Sequence, residues 1–165
     1  MAKREITPTD ALSKVAFACS TAEYCSYDIR IKLQRWGLNS NEISTIIDHL
    51  IDENYINDTR YAIAFSRDKY RFDGWGRIKI RYKLRTKQLS SEDITAALAA
   101  IDDNEYIERL QSIIDSKHRS ISNRDYTSIE QRNAIYKYCI SRGFEHEYIS
   151  RELRNLKFEN LEDLD

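Results

Sequence analysis

Few residues in this 165-residue chain are of types and spacings suited to chemistry. Cys19, Cys25 and Cys139 form no Cys-x-x-Cys pair, and an odd number does not make a disulfide framework. They read as small buried hydrophobes in a reducing environment. His49, His118 and His146 are scattered, none with a ligand-type partner one helical turn away, so no metal site is expected. Gly74-x-Gly76 is too short for either nucleotide-binding fingerprint. Cys139 has no local His or Asn to activate it. Glu92-Asp93 and Asp102-Asp103 stand where helix N-termini are expected, and carboxylates there stabilise unpaired N–H groups. These readings point away from an enzyme and from any cofactor.

The remaining chemical feature is charge. Net charge is −1, which suggests no anionic partner until the charges are placed along the chain. Arg60 to Lys87 carries ten basic and two acidic residues, a net +8. Trp36–Asp58 carries −5, Glu92–Asp115 carries −6, and the last seven residues hold four acids and no base. A dense basic segment between acidic flanks suits phosphates or an acidic protein surface. On a helix Arg77, Arg81 and Arg85 form one i,i+4 stripe, while Lys79, Lys83 and Lys87 lie on another side. The expected partner- or DNA-binding set is Arg67, Lys69, Arg71, Trp75, Arg77, Arg81, Arg85 and Lys87. Trp75, with Tyr70 and Tyr82, offers stacking surface, and Gly74 and Gly76 would let backbone approach a partner closely.

The elements that must carry these residues read as helices. Pro8 is the only proline, and only Asp73-Gly74 resembles a tight hairpin turn. Thr7-Pro8-Thr9-Asp10 is a helix start, with Thr7 as cap and Asp10 completing a capping box. Leu12, Val15, Ala16 and Cys19 then mark one face. A second helix starts near Ser26 and stops at Gly37. Asn39 and Ser40 cap a third, whose Ile43, Ile46, Ile47, Leu50 and Ile51 follow helical spacing. Asn57-Asp58 opens a fourth, with Tyr61, Ala62, Phe65 and Phe72 facing inward. Tyr24, Tyr27, Trp36, Tyr136, Tyr138 and Phe144 fall near turns and read as packing residues. No apolar run approaches the roughly 18 residues of a membrane span, and the N-terminus lacks a signal-peptide core. A cytoplasmic protein without membrane contact is expected.

Residues 77–85 resist this scheme. Apolar and basic residues alternate strictly there, which is the period of a half-buried strand. An internal repeat overrides that local signal. Ile29-Arg30-x-x-Leu33 matches Ile80-Arg81-x-x-Leu84 at an offset of 51 residues, followed by Leu38 with Leu89, Ile43 with Ile94, Ile47 with Leu98 and Leu50 with Ile101. A fainter third copy lies 55 residues on, through Gly143-Phe144, Ile149, Leu153 and Leu156. Between copies lie helical segments near 58–72 and 104–118. A period near 50 residues predicts an all-α, elongated and curved array of three tandem three-helix repeats. The expected divisions are 1–54, a basic 55–102, and 103–158, with 159–165 a disordered acidic tail. Segment 77–87 becomes a helix, and tight turns fall at Gly37, Gln88 and Gly143.

Several stretches together resemble the RecX family of recombinase regulators. These are Asp28-Ile-Arg-x-Lys-Leu33 with Gly37-Leu38, then Asn54-Tyr-Ile-Asn-Asp58-x-Arg60-Tyr-Ala62. Gly76-x-Ile78-x-Ile80-x-x-x-Leu84-x-x-Lys87 and Arg142-Gly143-Phe144 follow. The chain departs from the family pattern at Asn54 and Gln88, where glycine is usual, and at Trp75, where proline is. The resemblance spans about residues 10–157 and implies tandem three-helix repeats without catalysis. It also implies binding to the RecA recombinase, as monomer and as nucleoprotein filament, restraining filament growth, ATP hydrolysis and strand exchange in DNA repair, recombination and the SOS response. A monomer is expected. Whether the basic segment meets protein or DNA phosphates stays open. So do a stand-alone DNA-binding module and a helical protein-binding scaffold.

Overall fold

The computed structural model describes residues 6–156. Among them the chain forms nine helices and no strand: α1 (Pro8–Thr21), α2 (Ser26–Arg35), α3 (Ser40–Asp52), α4 (Asp58–Arg71), α5 (Arg77–Thr86), α6 (Ser91–Ala99), α7 (Asp103–Ile121), α8 (Ser128–Ser141) and α9 (His146–Asn155). The all-α expectation holds, including the helix at 77–86. The acidic tail lies outside the described residues.

Local chemistry explains where these helices begin and end. Thr7 Oγ1 accepts the Asp10 N–H at 3.1 Å, and Pro8 takes the first helical position. Asn39 and Glu42 form a reciprocal capping box on α3, as Thr127 and Glu130 do on α8. The sequence repeat corresponds to a repeated helix stop. After α2, the Gly37 N–H donates to Gln34 C=O at 3.0 Å and the Leu38 N–H reaches back to Leu33 C=O at 3.3 Å. After α5, Gln88 N–H pairs with Arg85 C=O and Leu89 N–H with Leu84 C=O; after α8, Gly143 pairs with Ile140 and Phe144 with Cys139. This is the Schellman arrangement, which satisfies two orphan carbonyls and sets an apolar residue beyond the turn near one inside the helix. Leu33, Leu38, Leu84, Leu89, Cys139 and Phe144 are all buried.

The arrangement requires a left-handed residue at each turn. Gly37 has φ +87° and Gly143 +88°, but Gln88 adopts φ +57° and Asn54, ending α3 the same way, +59°. An L-residue with a Cβ costs about 1–2 kcal/mol in this region, asparagine less than most. Gln88→Gly is therefore expected to stabilise the protein by about 0.5–1 kcal/mol, after allowing for glycine's greater unfolded-state entropy. Urea unfolding at equal m-value checks this, and a midpoint at or below the parent's would contradict it.

The chain divides into two compact units. One comprises residues through Phe65 with Leu84–Ala97, the other Ser66–Lys83 with Leu98 onward, so the boundaries fall inside α4, α5 and α6. In the first, Ala11 and Val15 of α1 and Ile29 and Leu33 of α2 pack with Ile43, Ile46, Ile47 and Leu50 of α3. Ile56 extends this core. The Asp58 carboxylate accepts the Ser26 N–H at 2.7 Å, capping α2 from the start of α4. In the second unit, buried residues of α7 (Tyr106, Leu110, Ile113, Ile114), α8 (Ile135, Cys139) and α9 (Ile149, Leu153) form the core with Phe144.

Three inward assignments fail or change. Phe72 is 77% exposed, because α4 ends at Arg71 and the chain turns away before the next core position. Ile51 is 47% exposed, at the edge of a face already filled by Ile43, Ile46, Ile47 and Leu50. On α5 the strand-like alternation has a helical cause. Ile80 and Leu84, one turn apart, are fully buried, while Ile78 and Tyr82, also one turn apart, are 50% and 69% exposed.

Candidate partner-binding surface

The basic segment rides on α4, the loop 72–76, α5 and the turn after it. The fold separates its side chains according to the carboxylates within reach. Arg71 makes a bidentate pair with Glu105 at the start of α7, at 2.7 and 3.1 Å. Tyr70 donates its hydroxyl to the same carboxylate at 2.5 Å. Hydrogen bonds from Tyr70 and Arg71 hold the Glu105 carboxyl below its usual range. Arg77 lies 2.6 Å from Asp103, 3.9 Å from Glu145 and 4.1 Å over the Tyr106 ring, its side chain only 13% exposed. Burial opposes its charge, but the Asp103 hydrogen bond and the charges nearby outweigh that and leave its pKa raised.

Lys87 is held in the other compact unit by both carboxylate oxygens of Asp28, at 2.6 and 2.7 Å, with its ammonium 5.6 Å from the Tyr61 ring centre. Here too burial opposes the charge, and the Asp28 bonds more than compensate. Lys69 pairs with Asp73 at 2.5 Å. Lys69 and Lys79 lie 4.9 and 4.6 Å from the Trp75 ring centre, so this half-buried indole already carries two cations. Arg67 is exposed, 3.6 Å from its neighbour Asp68. Arg81 and Arg85 are exposed and make no hydrogen bond or ion pair among the described residues.

The eight expected residues thus do not form one set. Arg71, Arg77 and Lys87 are tied into intramolecular pairs, and Arg77 lies against a buried ring. Arg67, Arg81 and Arg85 present their charge to solvent, the last two one turn apart on α5. The glycines of the loop also serve the fold. The Gly76 N–H donates to Arg142 C=O at 2.8 Å and the Ile78 N–H to Gly143 C=O at 3.0 Å. A Cβ on Gly76 would lie 2.2 Å from the Gly143 backbone. The close approach is to the chain's own α8–α9 turn.

Sequence reasoning missed Tyr106. It is fully buried, donates its hydroxyl to Glu145 at 2.6 Å and accepts the Arg77 N–H at 2.8 Å. It packs against Phe144 and Tyr148, with ring centres 5.2 and 5.9 Å away. The acidic zone at 92–115 was the available signal. Opposite charge densities in one folded chain pair with each other, and Asp103 and Glu105 do so here.

No group of His, Cys, Asp and Glu among the described residues could hold a metal ion, and no helix there is long and apolar enough to cross a membrane. Residues 57–98, which hold α4 and α5 with most of α6, match the family model described as RecX, second three-helix domain. The Regulatory protein RecX of Clostridium acetobutylicum is 26% identical over 135 residues, covering 81% of this chain and 62% of the relative. The chain spans 56% of a Clostridium botulinum relative's length. The Regulatory protein RecX of Xanthomonas axonopodis pv. citri is 32% identical over 123 residues, covering 74% of this chain and 73% of the relative. The crystal structure of RecX from Lactobacillus salivarius superposes with a TM-score of 0.76 at 23% identity, covering 90% of this chain and 97% of that one. A second RecX structure gives 0.80 at 20% identity, covering 90% and 73%. The structural matches carry the fold, and the sequence match over three-quarters of the chain carries the kinship: this chain belongs to the RecX family.

Proposed function

We propose that this protein is a non-catalytic regulator that binds the RecA recombinase, as monomer and as DNA filament, and restrains filament growth, ATP hydrolysis and strand exchange in the cytoplasm. The observation that carries the reading is the 32% identity over 123 residues with a Regulatory protein RecX. The charge arrangement is compatible with it. A partner surface needs charge not already spent within the molecule, and Arg81 and Arg85 supply it. Exposed Tyr82 and Ile78 on α5 add apolar area beside the arginines, a composition common at protein interfaces. The repeat supports three three-helix units at 1–54, 55–102 and 103–158, acting as a monomer.

The test is the recombinase's DNA-dependent ATP hydrolysis. Substoichiometric protein is expected to slow it, and Arg81→Ala with Arg85→Ala to weaken that effect roughly tenfold in the concentration required, at about 1.4 kcal/mol per tenfold. An unchanged hydrolysis rate at large molar excess of the parent would defeat the proposal.

A further inference from the structure

In the second compact unit an open groove of about 390 Å³ runs between α7 and the end of α8, lined in part by Arg109, Ser112, Ser116, Lys117, Ser120 and Arg142. The outer nitrogens of Arg142 and Arg109 lie 3.2 and 3.5 Å from where a Cβ on Gly74 would sit, so two like charges share one side of it. Arg142 donates to the Gly74 carbonyl at 3.1 Å and to that of Asp73, and Arg109 to the Tyr70 carbonyl at 3.2 Å. Lys117 and Arg142 lie 4.8 and 5.7 Å from the Tyr138 ring centre. Carbonyls and a ring face orient these cations without neutralising them. Arg71 and Arg77 of the same unit have carboxylate partners; among the described residues Arg109, Lys117 and Arg142 have none.

The hydroxyls complete the chemistry. Ser112, Ser116 and Ser120 recur every fourth residue along α7, each step rising about 6 Å, comparable to the distance between successive phosphates along a nucleic-acid strand. Ser120 donates to the Lys117 carbonyl at 2.7 Å, whereas Ser112 and Ser116 make no hydrogen bond among the described residues. Arginine, lysine and serine donors together are the set that contacts phosphate oxygens. A groove of this volume admits a stretch of sugar–phosphate backbone.

We propose that this groove binds the sugar–phosphate backbone of a single nucleic-acid strand. The surface is separate from exposed α5, and its test uses no recombinase, so failure here leaves the hydrolysis assay to judge the regulator reading. The probe is a fluorescent oligodeoxythymidylate titrated with the full chain by anisotropy at several salt concentrations. Ser112→Glu with Ser116→Glu, both at exposed positions, is expected to weaken binding at least tenfold with unchanged circular dichroism. Lys117→Ala is expected to reduce the slope of log K against log salt by about 0.7. Affinity within twofold of the parent for the serine variant, with an unchanged slope for Lys117→Ala, would overturn the assignment. So would displacement of the strand by inorganic phosphate at matched ionic strength, or by polyglutamate as readily as by unlabelled strand.

Discussion

Gly143→Ala is expected to lower the unfolding free energy by about 3–4 kcal/mol, while Gly37→Ala, at the equivalent turn, loses only about 1 kcal/mol. Both glycines have φ near +88°, so the left-handed penalty is common to both. The surroundings differ. Nothing lies within 4 Å of a Cβ on Gly37, whereas a Cβ on Gly143 would meet Lys79 Cβ at 2.3 Å and the Lys79 backbone N at 2.5 Å. Backbone cannot yield as a flexible side-chain end does, so the α8–α9 turn must lift from α5. That breaks the hydrogen bonds from Gly76 N–H and Ile78 N–H to Arg142 and Gly143 carbonyls, each worth about 1 kcal/mol. Overpacking adds roughly 1–3 kcal/mol. Urea unfolding of the two variants side by side measures the difference, and equal losses would mean that the turn docks with room to spare.

Tyr106→Phe is expected to cost about 2–3 kcal/mol although it removes a single oxygen. The hydroxyl is buried and bonded on both sides, to the Glu145 carboxylate and the Arg77 N–H. Its loss leaves a buried backbone donor without its acceptor and a carboxylate without its donor. The variant also has a pH signature. Burial, and then the hydrogen bond to Glu145, push the Tyr106 pKa above its ordinary value of 10.0. A raised folded-state pKa contributes stability that is fully present below the unfolded value and is lost as pH rises toward the folded one. The parent should therefore lose stability from about pH 10 upward, and its gap to the phenylalanine variant should narrow there. A gap constant between pH 7 and pH 11 would show that the hydroxyl's environment does not penalise ionisation.

These two results bear on how the basic segment is read. In sequence Arg77 heads an i,i+4 stripe with Arg81 and Arg85. In the fold its side chain closes over Tyr106 and pairs with Asp103 and Glu145, because α5 begins against α7 and the α8–α9 turn within one compact unit. Only the solvent-facing members of the stripe keep their charge for a partner. The Arg109–Lys117–Arg142 groove had no linear signal, since its three cations are spread over thirty-four positions among four other bases and three acids, with no dense run to mark them. Helix packing gathers them.

The sequence alone determined that the chain is helical, where its turns fall, and most of the residues on the helices' buried faces, Phe72 and Ile51 excepted. Those properties follow from near-neighbour chemistry: caps, left-handed stops, 3.6-residue spacing and recurrence at a fixed offset. The tertiary structure alone decided which charges remain available and which glycines cannot change. Ion pairing and close backbone approach depend on distances between segments far apart in the chain, and so does the neutralisation of Arg71, Arg77 and Lys87 by Glu105, Asp103 and Asp28. A linear charge count cannot register a carboxylate brought within 3 Å by folding.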